Sequence, residues 1–320
     1  MKTSLRTRLS IAGLVVSLLA VSGCGAGEVP VSADPVMVDD RPAGVEDPAE
    51  LPDTVTDDTS CEPRASFRPS TKTDASELKR IIERGRLIVG VDQNSYMLGY
   101  RDPLTGEMAG FDIAIAREIA RDLLGDPDAI QFKAISSAQR VPVLADEKVD
   151  LVVRSMSMTC ARWEEVSFST EYYTAGQKVL VAATSTAESI DDLSGQKICA
   201  AAGSTSLRRI HDHGAVPVSV RDWTDCLILL QQGEVAAVST DDVILAGMAA
   251  QDPNTKVIGE ALSEEPYGVA ANKSHSGLVR FVNATLDRIR SDGTWDDLYD
   301  ESLRDTLGDG SAPSPKYQDD

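Results

Sequence analysis

The chain predicts an α/β fold made of two small doubly wound lobes, each a short sheet wrapped by helices. Three features carry that expectation. A β-α-β-α-β alternation occurs twice, over 87–153 and again over 198–241. The approach to the last strand is echoed, as Glu147-Lys148-Val149-Asp150 in one round and Gly233-Glu234-Val235 in the other. The strands are apolar, but nearly every exit carries a hydroxyl or a charge, and in open sheets ligands lie beyond the carboxyl ends of the strands.

The folded part opens near Asp74. Asp74-Ala75-Ser76-Glu77 predicts a helix start with Asp74 as N-cap and Glu77 three residues on, and Gly85 ends that helix. Leu87-Ile88-Val89-Gly90-Val91 reads as a buried strand with Asp92 at its exit. A loop with Pro103 and Gly106 follows. Over 112–124 the apolar Ile115, Ile119 and Leu123 recur every four positions and Gly125 closes, which predicts a helix. The next strand is 130–135. Ser136-Ser137 follow it, and then a helix over 139–145 with Pro142 in its early turns. A third strand, 149–153, leaves the core through Arg154, Ser155 and Ser157, with Arg162 a turn or two further on. The second round begins near Gly176. An extended apolar segment spans 178–183, and Asp191-Asp192-Leu193-Ser194-Gly195 is a turn. Strand 198–202 runs into Gly203-Ser204-Thr205, which opens a helix over 206–213. After strand 216–220, Asp222 caps a helix that runs to Gly233. Strand 235–238 ends at Ser239-Thr240-Asp241.

Ahead of the folded part, Lys2, Arg6 and Arg8 form a basic head. The apolar run 11–20 is shorter than the roughly 20 residues that span a membrane, and small residues follow in Val21-Ser22-Gly23-Cys24. This is the anatomy of a secretory signal peptide over 1–23. Val-Ser-Gly-Cys also resembles the lipobox of bacterial lipoproteins. That resemblance implies cleavage before Cys24 and diacylglycerol on its sulfur, and several acyl chains hold a membrane where one does not. The alternative is a plain signal peptide beside an incidental cysteine. Residues 24–73, rich in Pro, Asp, Ala, Val and Thr without a period, are expected to form a flexible acidic linker.

The net charge of −20 argues against nucleic acid and against adhesion to anionic lipid. An anionic ligand would therefore need a local positive pocket. Apart from Cys24 the cysteines are Cys61, Cys160, Cys199 and Cys226. An even number in an exported chain favours two disulfides, with three possible pairings. Cys199–Cys226 is expected because both fall in the second round, and Cys61–Cys160 then follows, tying the linker to the stretch before Arg162. The spacings match no zinc pattern, and His211, His213 and His275 are expected at the surface, so neither metal nor cofactor is expected.

Read in turn, the strand exits offer Asp92, then Ser137 and Arg140, then Arg154, Ser155 and Ser157; the second round offers Gly203, Ser204 and Thr205, then Thr240 and Asp241. No Ser-His-Asp set, GxGxxG or Walker lysine stands among them, and no histidine or glutamate clearly adjoins them as a general acid. The set reads as a binding site, and the protein is not expected to be an enzyme.

The stretches Leu87-Ile-Val-Gly-Val-Asp92, Gly110-Phe-Asp-Ile113, Val149-Asp-Leu-Val-Val153, Met158-Thr-Cys-Ala-Arg162, Val166-Ser-Phe-Ser169, Asp192-Leu-Ser-Gly195, Ala202-Gly-Ser-Thr205 and Tyr267-Gly-Val-Ala270 resemble, in order and spacing, the polar amino-acid substrate-binding proteins of ABC importers. The resemblance covers roughly 78–303. It implies a two-lobed periplasmic-binding-protein-like fold of type II, its lobes joined by two crossover strands near 172–178 and 265–269. The first lobe would comprise 74–174 and 268–307, the second 175–267, with 308–320 a tail. Leu278, Phe281, Val282, Leu286 and Ile289 keep a helical period that fits the return to the first lobe.

By the same resemblance Arg162 would fork onto the ligand α-carboxylate, since planar guanidinium donors match two oxygens at once. Ser155 and Ser157 would add contacts. Ser204 and Thr205 would offer N–H groups at a helix start, and Asp241 would neutralise the α-ammonium; its plain alternative is a helix N-cap. Ser137 and Arg140 resemble the segment that meets a distal carboxylate in glutamate and aspartate binders, and Arg154, where relatives often carry a small residue, would add a second positive group to the ligand side chain. Asp92 pulls the other way, because in glutamine binders an Asp there accepts from the ligand amide, unless Arg140, Arg154 or Arg101 neutralises it. Ser95 departs from the aromatic wall of many relatives; Tyr96 or Tyr100 could substitute. Glutamate or aspartate is favoured, asparagine or glutamine next. The partners implied are an ABC permease and its ATPase or, alternatively, a membrane sensor protein. The protein would be an extracytoplasmic monomer held to the cell membrane through Cys24.

Overall fold

The computed structural model describes residues 41–51 and 60–318. The expected signal peptide and Cys24 lie outside the described residues.

The chain enters through a short strand, β1 (Ala65–Ser66), and helix α1 (Ser76–Arg84). Ala75, not Asp74, holds the N-cap position, and it makes no side-chain cap. Glu77 is instead buried and accepts from the Leu278 backbone N–H at 3.2 Å, so the acid reads a distant helix start rather than its own. β2 (Leu87–Val91) follows, then a small meander of β3 (Asn94–Ser95), β4 (Gly99–Arg101) and β5 (Met108–Ala109). Helix α2 (Phe111–Leu124) buries Ile115, Ile119 and Leu123 and ends at Gly125 in the left-handed region. β6 (Ile130–Ala134) leads through a 3₁₀ turn, Ser137–Gln139, into α3 (Arg140–Ala145). β7 (Leu151–Val152) is shorter than expected, although backbone bonds from Asp150 and Val153 to Ile88 and Gly90 continue its pairing. α4 (Cys160–Glu165) and β8 (Val166–Phe168) complete this half.

β9 (Tyr173–Ala182) then crosses into a second sheet, which takes in β10 (Lys197–Ala201), α5 (Ser206–Asp212), β11 (Val216–Val220), α6 (Trp223–Gln232), β12 (Ala237–Asp241), α7 (Asp242–Gln251) and β13 (Thr255–Ile258). Asp222 forms a capping box with Asp225 and Gly233 closes α6 in the left-handed region. β12 runs through Asp241, which pairs with Gln177 of β9, because the long crossover strand extends the ladder past the apolar run. β14 (Glu264–Tyr267) returns antiparallel to β9 and feeds β15 (Ala270–Asn272), α8 (Ser276–Ser291), α9 (Thr294–Tyr299) and, at the end, β16 (Lys316–Tyr317).

The fold is thus α/β and two-lobed. One sheet has the order β6-β2-β7-β15-β8, with β2 parallel to β6 and β7. The other has the order β11-β10-β12-β9-β13, with β10 parallel to β11 and β12. In each, the first parallel strand lies between the next two, so its carboxyl end and those of its neighbours open on one crevice. β9 and β14 are the two crossovers. Leu278, Phe281, Val282, Leu286 and Ile289 of α8 are buried in the core. Disulfides join Cys61 to Cys160 and Cys199 to Cys226.

Three further expectations need correction. Residues 60–72 do not form a loose linker. Cys61 is bonded to Cys160, Trp163 Nε1 donates to Pro63 O at 2.7 Å, and Asn283 Nδ2 donates to Phe67 O at 2.7 Å. Residues 308–318 are not a free tail either, since β16 pairs in parallel with β1 and Tyr317 OH donates to Asp287 Oδ2 at 2.6 Å. Both segments lack a hydrophobic period because they are held by a two-residue strand pair and single side chains, not by an amphipathic face. His275 is buried before α8, with Nε2 3.7 Å from Glu147 Oε1, whereas His211 is exposed and His213 half-buried.

Candidate functional site

The polar strand ends of both sheets meet in one buried network between the lobes. From β2, Asp92 is taken up locally: Oδ1 accepts from the backbone N–H groups of Gln93 (2.7 Å) and Asn94 (2.9 Å), and Oδ2 accepts from Ser95 Oγ at 2.8 Å. Arg154, fully buried, places Nη2 2.7 Å from Asp92 Oδ2, an ion pair in which Nη2 is not aligned as a hydrogen-bond donor. The rest of Arg154 is fixed by Nε donation to Ile135 O (2.7 Å) and Nη1 donation to Ser137 Oγ (2.6 Å). Arg154 is therefore the group that neutralises Asp92. Ser95 supports Asp92 and forms no wall. Tyr96 is 41% exposed and packs edge-on to Tyr100.

Arg140 and Arg162 are the other two guanidinium groups, both buried. Arg140 donates to Ser137 O (2.9 Å), Ser155 O (3.0 Å) and, across the cleft, Gly203 O (3.2 Å). Arg162 donates to Ser157 O (2.7 Å) and to the same Gly203 O (3.2 Å). All of these acceptors are neutral carbonyls. Burial holds both guanidinium groups below the usual arginine range, and for Arg140 the charges of Arg162 and Arg154 add to the fall. Two positive groups thus converge on one oxygen. That approach requires glycine: Gly203 has φ +75°, and a Cβ there would lie 2.8 Å from Ala138 Cα in the facing lobe. Gly247 of α7 makes a second close approach, where a Cβ would sit 2.8 Å from Tyr96 O.

Ser155 is held at φ 38°, an uncommon conformation for a non-glycine residue. Its N–H donates to Asp112 Oδ2 at 3.0 Å, and Tyr172 OH donates to Asp112 Oδ1 at 2.7 Å. Burial pushes the Asp112 carboxyl up to about 6 against these donors. Ser157 forms a backbone bridge to Tyr267 of β14. On the second lobe, Ser204 Oγ is buried with no hydrogen-bond partner among the described residues, and Thr205 Oγ1 donates to Glu265 Oε2 at 3.1 Å. Asp241 occupies the N-cap position of α7 but makes no side-chain cap; it accepts a short hydrogen bond from Tyr267 OH instead. Its carboxyl is pushed up to about 8, first by burial and next by the charge of Glu265.

The residues singled out from sequence therefore form one constellation, with Asp92, Ser137, Arg140, Arg154, Ser155, Ser157 and Arg162 on one wall and Ser204, Thr205 and Asp241 on the other. Four members went unforeseen: Asp112, Tyr172, Glu265 and Tyr267. Asp112 and Tyr267 lie inside stretches that carried the resemblance. The available signal was an acid in the first turn of a helix whose side chain goes inward, and polar residues at alternate positions of a crossover strand. Among the described residues no cluster of three or more His, Cys, Asp or Glu could hold a metal ion.

Two lobes joined by paired crossovers, with charged strand ends facing across a cleft, are the architecture of a solute-binding protein. The chain belongs to the bacterial extracellular solute-binding proteins, family 3, whose model matches residues 87–304. It is 35% identical over 239 residues to the ABC transporter glutamine-binding protein GlnH of Bacillus subtilis, covering 74% of this chain and 88% of that protein. It is 30% identical over 236 residues to the glutamate-binding protein GluB of Corynebacterium glutamicum, covering 69% of this chain and 80% of that protein. Among solved structures, the cysteine-binding protein from Campylobacter jejuni superposes with a TM-score of 0.70 at 26% identity, covering 73% of this chain and 96% of that one.

Proposed function

We propose that the protein is an extracytoplasmic receptor, held to the membrane through a lipid on Cys24, that binds an acidic amino acid and delivers it to an ABC permease and its ATPase. Glutamate or aspartate is the favoured ligand, with glutamine and asparagine next. The reading is of a binding protein without a chemical step. In it 74–174 and 268–307 act as one lobe and 175–267 as the other. Arg162, Ser155 and Ser157 hold the ligand carboxylate together with Ser204 and Thr205. Asp241 takes the ammonium, and Arg140 with Ser137 faces the side chain.

The observation that carries the acidic preference is the pairing of Asp92 with Arg154. Of the three guanidinium groups in the site it leaves Arg140 and Arg162 without an ion pair among the described residues, each bonded only to carbonyls. A ligand with two carboxylates answers two such charges; an amide answers one. Likeness to a glutamine-binding and to a glutamate-binding protein supports an amino acid of this length without ranking acid against amide.

Titration calorimetry tests this. Wild type is expected to bind L-glutamate more tightly than L-glutamine. Arg162→Ala should weaken both by about 1.5–3 kcal/mol or more, roughly tenfold to a hundredfold. Arg140→Gln should remove the preference for the acid. Unchanged glutamate binding by Arg162→Ala sinks the site assignment, and a wild-type preference for glutamine sinks the ligand assignment.

A further inference from the structure

The crossover strand β14 sends two side chains of the same parity, Glu265 and Tyr267, towards the second lobe. Tyr267 OH donates to Asp241. Glu265 is only 4% exposed; Oε2 accepts from Thr205 Oγ1 at 3.1 Å and Oε1 from Ser263 Oγ at 2.7 Å. Each carboxylate is thus aimed by a hydroxyl donor, and neither has a basic side chain as an ion-pair partner among the described residues. They lie near enough for the charge of Glu265 to follow burial as a cause of the rise in Asp241. Glu265 also stands in the field of Arg162.

Two buried carboxylates in that relation disfavour each other's charge, and a cation brought to them removes the conflict. Ser204, the neighbour of Thr205 at the start of α5, has its Oγ buried without a hydrogen-bond partner among the described residues. A cavity of about 370 Å³ borders Glu265, lined also by Thr159 of the first lobe, Thr205 and Arg209 of the second, and Ser263 and Glu264 of the crossover; Asp241 does not line it.

We propose that Glu265 is a second acceptor for the ligand α-ammonium, acting with Asp241, and that the pair makes the site select amino acids against des-amino acids of the same length. This rests on the amino-acid reading above and deepens it. The crossover strand then reports ligand binding directly, because the residue that touches the ammonium sits in the hinge. Glu265→Gln isolates the charge, since the amide oxygen still accepts from Thr205 while the carboxylate is lost.

The experiment is a titration of wild type and E265Q with L-glutamate and with glutarate. Wild type is expected to favour glutamate strongly. E265Q should weaken glutamate about tenfold or more and leave glutarate unchanged or tighter. If wild type prefers glutamine, the pair is L-glutamine and glutaramate. An unchanged amino-acid affinity in E265Q overturns the proposal. So does a parallel loss for both probes, which marks a structural role, or a parallel gain, which marks a counter-charge to Arg162. Failure of wild type to bind either amino acid overturns the receptor reading itself and is told apart from these outcomes.

Discussion

At the residue scale, the site is a set of charges whose partners decide their use. Asp92 and Arg154 are six decades of sequence apart yet paired at 2.7 Å, and that pairing changes what both can do for a ligand. Both were visible as polar strand exits; their mutual contact was not, because strand periodicity locates an exit but not the reach of an arginine side chain. Asp241 yields a pH prediction. Its carboxyl is raised to about 8 from an ordinary 3.8, so the folded protein keeps a proton there that the unfolded chain releases. The stability this contributes is complete below about pH 3.8 and is lost as pH rises through about 8. Asp112, raised to about 6, adds the same sign over a lower window. Asp241→Asn should flatten the fall in the ligand-free unfolding midpoint as pH is raised from about 6 towards 9. An ammonium at Asp241 reverses the preference, so amino-acid binding should expel a proton near neutral pH and tighten as pH rises towards about 8. Calorimetry in buffers of different ionisation heat reads that proton; its absence in wild type, or its persistence in Asp241→Asn, contradicts the assignment.

At the element scale, strands and helices were largely legible and their exits were the informative part. Strand 216–220 and the Asp222-to-Gly233 helix fall where apolar runs and capping residues put them. The Asp74 cap failed because Glu77 is drawn to the start of α8, a tertiary claim on a residue that local pattern assigns to its own helix. β12 extends to Asp241 for a similar reason, since its end is set by the partner strand. The loop between β10 and α5 carries the sharpest local demand. Gly203 combines positive φ with contact against Ala138 of the facing lobe, and its carbonyl receives both Arg140 and Arg162. Gly203→Ala should cost about 1–2 kcal/mol in backbone strain. The added methyl should also hold the lobes apart, giving a larger radius of gyration by solution X-ray scattering and weaker ligand binding with β10 and α5 intact. Wild-type scattering and affinity in this variant would show that the close approach is not needed for closure.

At the scale of the whole molecule, the segments 60–68 and 308–318 that flank the lobes brace the crossovers. The segment 60–68 is bonded through Cys61 to Cys160, two residues before Arg162. From it Arg64 reaches Glu264 at 2.5 Å and Glu171 at 3.5 Å, one acid at the start of β14 and the other just ahead of β9, so a single guanidinium touches both crossovers. The C-terminal β16 lies beside β1 and continues this brace through Tyr317 and Asp287. Composition alone made both segments look like linker and tail, because a two-residue strand pair and scattered polar contacts leave no periodic trace. The brace predicts that removing 308–320 matters. The deletion takes away the partner of β1 and the Tyr317 contact, while the disulfide keeps Cys61 in place. Loss of a few buried hydrogen bonds of about 1 kcal/mol each should lower the unfolding midpoint by several degrees, at roughly 2–4 °C per kcal/mol for a domain of this size. Protease should then cut within 62–72 faster than in the full chain. Amino-acid affinity should change little, because no residue of the site lies in the deleted segment. An unchanged midpoint and cleavage rate would mean that β16 is a passenger on the hinge; a large loss of affinity would mean that the brace sets the geometry of the cleft as well as its stability.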